Sequence, residues 1–101
     1  MAEEKKEVPK GAFQSLTVPL DREKTAFATF HLKDLTEDVY MYLMTLIDEQ
    51  KSNVAAKTFV KTLWIGGDDP GILENNLVAL LATRKIMYTL MTPLDGELKK
   101  N

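Results

Sequence analysis

Leu63-Trp64-Ile65-Gly66-Gly67-Asp68-Asp69-Pro70-Gly71-Ile72-Leu73 limits the fold more than any other stretch. Apolar helical pattern lies on both sides of it, yet no helix can run through two glycines followed by proline and glycine. The stretch predicts a corner between two helices. Gly66 and Gly67 are placed to end the first, one of them in the left-handed conformation that only glycine adopts cheaply. Asp68 or Asp69 is placed to cap the second, and Pro70 fits its first position, where a missing N–H costs nothing. Trp64 is expected to pack as the pin of that corner.

Upstream, the pattern has period two. Leu16, Val18 and Leu20 alternate with Ser15, Thr17 and Pro19, and Ala26, Ala28, Phe30 and Leu32 alternate with Thr25, Phe27, Thr29 and His31. Asp21-Arg22-Glu23-Lys24 lies between the two runs, which predicts a β-hairpin with one buried face. Pro19 assigns its strand to an edge or to a strand end. A lone hairpin is marginal in water, so its apolar face must meet helices or another subunit's sheet.

Three helices follow. The first is capped by Thr36, with Glu37 and Asp38 at its positive end and Val39, Leu43, Leu46 and Ile47 on one face. The second is capped by Ser52 or Asn53 and buries Ala55, Ala56, Phe59, Val60, Leu63 and Trp64. The third runs from about Pro70 to Met91, with a break expected near Glu74-Asn75-Asn76. Leu73, Leu77, Leu80, Leu81, Arg84 and Tyr88 lie along one side of it. Thr92-Pro93 stops the chain's last helix. The expected architecture is therefore α+β and helix-rich: an N-terminal hairpin followed by three helices. One domain over residues 12–94 is flanked by a flexible, charged stretch at 1–11 and a polar tail at 95–101.

Several chemistries are excluded or unsupported. The 101 residues include no cysteine, so disulfides, thiolate catalysis and Cys-ligated metal sites are ruled out. The formal net charge of -2 gives no overall basic footprint for nucleic acid. His31 is the only histidine and falls on the polar phase of its strand. A Ser/His/Asp reading would need it as the base, with Ser15 and Ser52 as the only serines, and finds no nucleophile motif. Asp68-Asp69 matches neither a calcium loop nor a phosphate loop. No enzyme activity, cofactor or metal is expected. The apolar runs Tyr40–Ile47 and Leu77–Ala82 fall far short of the ~20 residues of a membrane span, and the expected location is the cytoplasm.

The methionines and tyrosines give the stronger lead. Met41 and Met44 share the first helix with Tyr40 and Tyr42, and Met87 and Met91 share the third with Tyr88. Flexible, polarizable side chains fill cores and also suit adaptable binding surfaces. The first helix is apolar almost all round, which calls for cover on more than one side. Tyr40, Met41, Met44, Met87, Tyr88 and Met91 are therefore the candidate partner-binding residues.

Three segments taken in order resemble small proteins of phage and prophage tail-gene clusters, of the kind seen in Bacteroides-type genomes. They are the strand Ala26–Phe30 leading into Leu32-Lys33-Asp34-Leu35-Thr36, the aromatic-x-Gly-Gly-Asp corner at Trp64–Asp68, and the closing Gly96-Glu97-Leu98-Lys99-Lys100-Asn101. The likeness spans roughly Leu16 to Asn101. It implies a tail assembly chaperone-like protein without cofactor or catalytic residues, binding hydrophobic segments of a tape-measure or tail-tube partner in the host cytoplasm. The alternatives are a self-associating ring or connector subunit whose hairpins extend one another's sheets, and a nucleic-acid-binding regulator using Lys57, Lys61, Arg84 and Lys85.

Overall fold

Alternation in the first third of the chain becomes a two-stranded ribbon, β1 (Gln14–Pro19) and β2 (Phe27–Leu32), in the computed structural model, which describes residues 8–91. The strands pair antiparallel from Gln14↔Leu32 to Pro19↔Phe27. Leu16, Val18, Ala28, Phe30 and Leu32 line one face and are buried. Ser15, Thr17 and Thr29 line the other. At the turn, Leu20 N–H donates to the Ala26 carbonyl at 2.8 Å and Lys24 N–H to the Asp21 carbonyl at 3.0 Å. The Asp21 carboxylate accepts from the Thr25 hydroxyl and from Thr25 N–H, and these bonds hold its pKa below the ordinary value. Pro19 lies on an edge strand, where its missing N–H breaks no ladder.

The helices follow as α1 (Glu37–Asp48) and α2 (Ser52–Leu63), then α3 (Ile72–Asn75) and α4 (Leu77–Met91). Thr36 caps α1 as expected, its hydroxyl accepting from Val39 N–H at 3.3 Å. Its end carries no glycine signal. Gln50 takes φ 64, with Gln50 N–H bonded to the Ile47 carbonyl and Lys51 N–H to the Leu46 carbonyl, the pattern of a Schellman cap. The chain then enters α2 directly from Lys51, with no side-chain cap. Ser52 and Asn53, expected as caps, instead bond sideways to α4: Ser52 Oγ meets Tyr88 Oη at 2.6 Å and Asn53 Oδ1 accepts from Arg84 at 3.0 Å.

The corner differs most from expectation. Gly66 and Gly67 do not terminate a helix; α2 ends at Leu63, and Trp64–Gly67 forms a third strand, β3, antiparallel to β2. The sheet order is β1-β2-β3, with an irregularity between His31 and Leu32. Both glycines are needed for closeness. A Cβ on Gly66 would stand 2.6 Å from Pro9 Cγ, and one on Gly67, at φ +95, would overlap the Thr29 carbonyl oxygen. Asp68 fastens the strand end, its N–H donating to the Thr29 carbonyl and its carboxylate accepting from Thr29 N–H, both at 2.8 Å.

Trp64 is not a buried pin. It remains 38% exposed, and Leu63 beside it is the buried residue. The indole holds the corner by a bond, donating to the Asp68 carbonyl at 2.9 Å. Asp69 accepts from Gly71 N–H at 2.9 Å, closing a turn in which Pro70 and Gly71 precede α3, so Pro70 stands outside the helix. The expected break occurs at Asn76, which is extended. Its side chain caps α4 by accepting from Ala79 N–H and ties that end to the residue just after β1 by donating to the Leu20 carbonyl, each at 3.0 Å.

The architecture is α+β, as expected, with a three-stranded sheet in place of the hairpin and four helices in place of three. The helices cover one face of the sheet: α4 packs under β1, α2 packs under β2 and against α4, and α1 packs on α2. Phe30, Leu32, Leu43, Phe59, Leu63, Leu73 and Met87 are almost fully buried between the layers. Each contributes on the order of 1.5–3 kcal/mol of apolar burial. No helix among the described residues is long and apolar enough to cross a membrane. The expected stop at Thr92-Pro93 and the tail at 95–101 lie outside the described residues, as does most of the charged stretch at 1–11.

Candidate functional site

The six candidate partner-binding residues divide between surface and core. Met41 is 57% exposed and Tyr88 39% exposed, while Tyr40 and Met44 are half-buried against the core. Met87 and Met91 are buried at 0% and 2% exposure, and their reading as binding residues is corrected. On α4 they share the inward arc with Ala79, Leu80 and Thr83. Nor do the six form one groove, because α1 and α4 each pack on α2 rather than on each other.

The apolar surface of α4 is built from other residues. Leu77 is 58% exposed and Leu81 39%. With Arg84 and Tyr88 they fall at i, i+4, i+7 and i+11, one line along a helix. Two open hollows of about 600 and 410 Å³ share Leu81. Arg84, Lys85, Tyr88 and Thr89 complete the first, and Arg22, Asn75, Asn76, Leu77 and Val78 the second. The helical pattern already put Leu77, Leu81 and Tyr88 on one side, but together with Leu73 and Leu80. The break at Asn76 assigns Leu73 to α3, and Leu80 sits one residue, about 100°, round from Leu81.

Cations gather beside this stripe. Lys57 Nζ stands 3.3 Å from Glu74, which also pairs with Lys61. Hydrogen bonds from Lys61 and then Lys57 hold the Glu74 carboxyl below its ordinary value. A depressed carboxyl contributes stability above its unfolded value of about 4.3 and loses it as pH falls through the folded value. NMR titration is expected to give Glu74 a lower midpoint than in Lys57→Ala/Lys61→Ala; equal midpoints would remove the pairing.

His31 lies on the polar phase of its strand and is nevertheless buried. It is 5% exposed, and its Nδ1 lies 2.7 Å from Ser15 Oγ. That is a nucleophile–base distance, but the next cross-strand pair, Thr17 and Thr29, bonds in the same way at 3.0 Å. The two pairs form a ladder of side-chain bonds across β1 and β2. Among the described residues no carboxylate bonds the imidazole to orient it, as a triad requires. Nor, among them, do three groups of His, Asp or Glu gather to hold a metal ion. No family model matches the chain, and comparison with curated proteins and with solved structures finds no match to either.

Proposed function

We infer that this chain is a non-enzymatic interaction protein, phage-derived and tail assembly chaperone-like, that covers hydrophobic segments of a tape-measure or tail-tube partner. The observation that carries the reading is the exposed line Leu77, Leu81 and Tyr88 on α4. Leucines left in water on a helix whose other side is core offer a partner helix an apolar surface, here at i, i+4 and i+11. The likeness to tail-cluster proteins supplies the class of partner. Burying two leucines at a partner's expense is worth roughly 3 kcal/mol or more, or about a hundredfold in affinity.

Leu77→Glu/Leu81→Glu is therefore expected to abolish co-purification with a tagged tape-measure segment while leaving the circular dichroism spectrum unchanged. Undiminished co-purification would remove the reading. A second reading, a self-associating virion subunit in which hairpins extend one another's sheets, draws on β1 being an edge strand of the sheet.

A further inference from the structure

Formal charge is segregated helix by helix. α1 carries Glu37, Asp38 and Asp48 and neither Lys nor Arg. α4 carries Arg84 and Lys85 without an acid, and α2 carries Lys57 and Lys61 without an acid. Each surface also has an exposed apolar centre. On α1, Met41 and Tyr42 are 57% and 54% exposed, and Glu37, Met41, Thr45 and Asp48 fall on one line of the helix. On α4, the line is Leu77, Leu81, Arg84 and Tyr88. Among the described residues, no ion pair engages the three acids of α1 or either base of α4.

The two surfaces also match in size. The 12 residues of α1 and the 15 of α4 make helices of roughly 18 and 22 Å. They do not satisfy each other within one chain, because both helices pack on α2. We propose that the acidic, apolar stripe of α1 docks on the basic, apolar stripe of α4 of a second copy of this chain. Opposite charge at the rims sets the register and speeds encounter, and the apolar centres supply the burial. The two patches are different surfaces, so the contact is heterologous and a pair of copies keeps one patch of each kind free, which leads to a ring or an open filament. This association occupies the α4 stripe that would otherwise cover a tail segment, so the two exclude each other there, and it needs neither that partner nor the edge of β1.

The test is sedimentation velocity on the full chain, from about 10 μM to about 1 mM at low salt, a range suited to an interface of one helix face per copy. The wild-type chain is expected to assemble beyond dimer as concentration rises, and to dissociate in ~0.5 M salt, where the Debye length shrinks to a few Å. Asp38→Lys/Asp48→Lys blocks the acidic patch, and Arg84→Glu/Lys85→Glu blocks the basic one. Each is expected to weaken association roughly tenfold or more. Mixed in equal amounts, the two variants pair the intact acidic patch with the intact basic one and the introduced lysines with the introduced glutamates, so association beyond dimer should return. If circular dichroism shows Arg84→Glu/Lys85→Glu to be unfolded, Lys85→Glu alone replaces it. Wild-type chain that stays monomeric throughout, variants that assemble as wild type does, or a mixture that stays monomeric would each overturn the proposal.

Discussion

Gly67→Ala is expected to lose roughly 3–5 kcal/mol of folding stability, several times the loss from Gly11→Ala. The two glycines have nearly the same backbone, φ +95 and φ +88, so both substitutions carry the ~1–2 kcal/mol cost of placing an L side chain in the left-handed region. They differ in space. Nothing lies within 4 Å of a Cβ on Gly11, whereas a Cβ on Gly67 would overlap the Thr29 carbonyl oxygen. That oxygen cannot simply turn away, because it accepts the Asp68 N–H. Relief requires β3 to leave β2, and with it the bond from Asp68 back to Thr29 N–H. For a domain of this size each kcal/mol shifts Tm by about 4–8 °C. Thermal melts should separate the variants by 10 °C or more, and coincident melts would mean that β3 is not held this close.

Met87→Glu should leave no cooperatively folded protein at neutral pH. Met87 is 0% exposed on the inward arc of α4. Removing its apolar volume costs about 2–5 kcal/mol, and an unpaired carboxylate among apolar neighbours adds several more. Total stability for about 100 residues is of the order of 5–15 kcal/mol, so the single change consumes most of it. Met41→Glu, at a position 57% exposed on α1, is expected to stay within about 0.5 kcal/mol of wild type. Met87→Leu, which keeps the volume, should cost less than about 1.5 kcal/mol. Urea unfolding with circular dichroism distinguishes the three. A cooperative transition in Met87→Glu near that of wild type would show that this side of α4 is not core.

The contrast between the two methionines shows where a helical pattern stops being informative. Both lie on helices that are apolar over more than half their circumference. In such helices the 3.6-residue period no longer singles out an inward face. Met41 and Met87 could then be told apart only by what packs against each helix. For α4 that is β1 on one side and α2 on another, and the line left over is Leu77, Leu81 and Tyr88.

The hairpin was legible in outline, because alternation on each side of a polar turn specifies the strands and the face that Leu16, Val18, Ala28, Phe30 and Leu32 bury, though Leu20 and Ala26 fall just outside the strands. So was the Thr36 cap, whose hydroxyl acts within three residues of itself. The break at Asn76 was legible for the same reason, since it depends on local side-chain chemistry. The end of α1 was not. Gln50 occupies a left-handed position that composition would assign to glycine or asparagine, and only the bonds from Gln50 and Lys51 back to Ile47 and Leu46 reveal it.

At Trp64–Pro70 the sequence by itself determined that a helix must end, that the backbone must reach conformations open to glycine, and that a turn must follow. What it could not determine is where the extended residues go. β3 has four residues, too few for an alternation to show, and its partner β2 lies more than thirty residues upstream. The glycines stand there because Pro9 and the Thr29 carbonyl approach them from distant parts of the chain. The Thr29 approach exists only where β3 lies against β2. Local interactions are written in neighbouring residues and can be read from them. A strand pairing and a close backbone approach depend on what folding brings alongside, so the tertiary structure alone decides them.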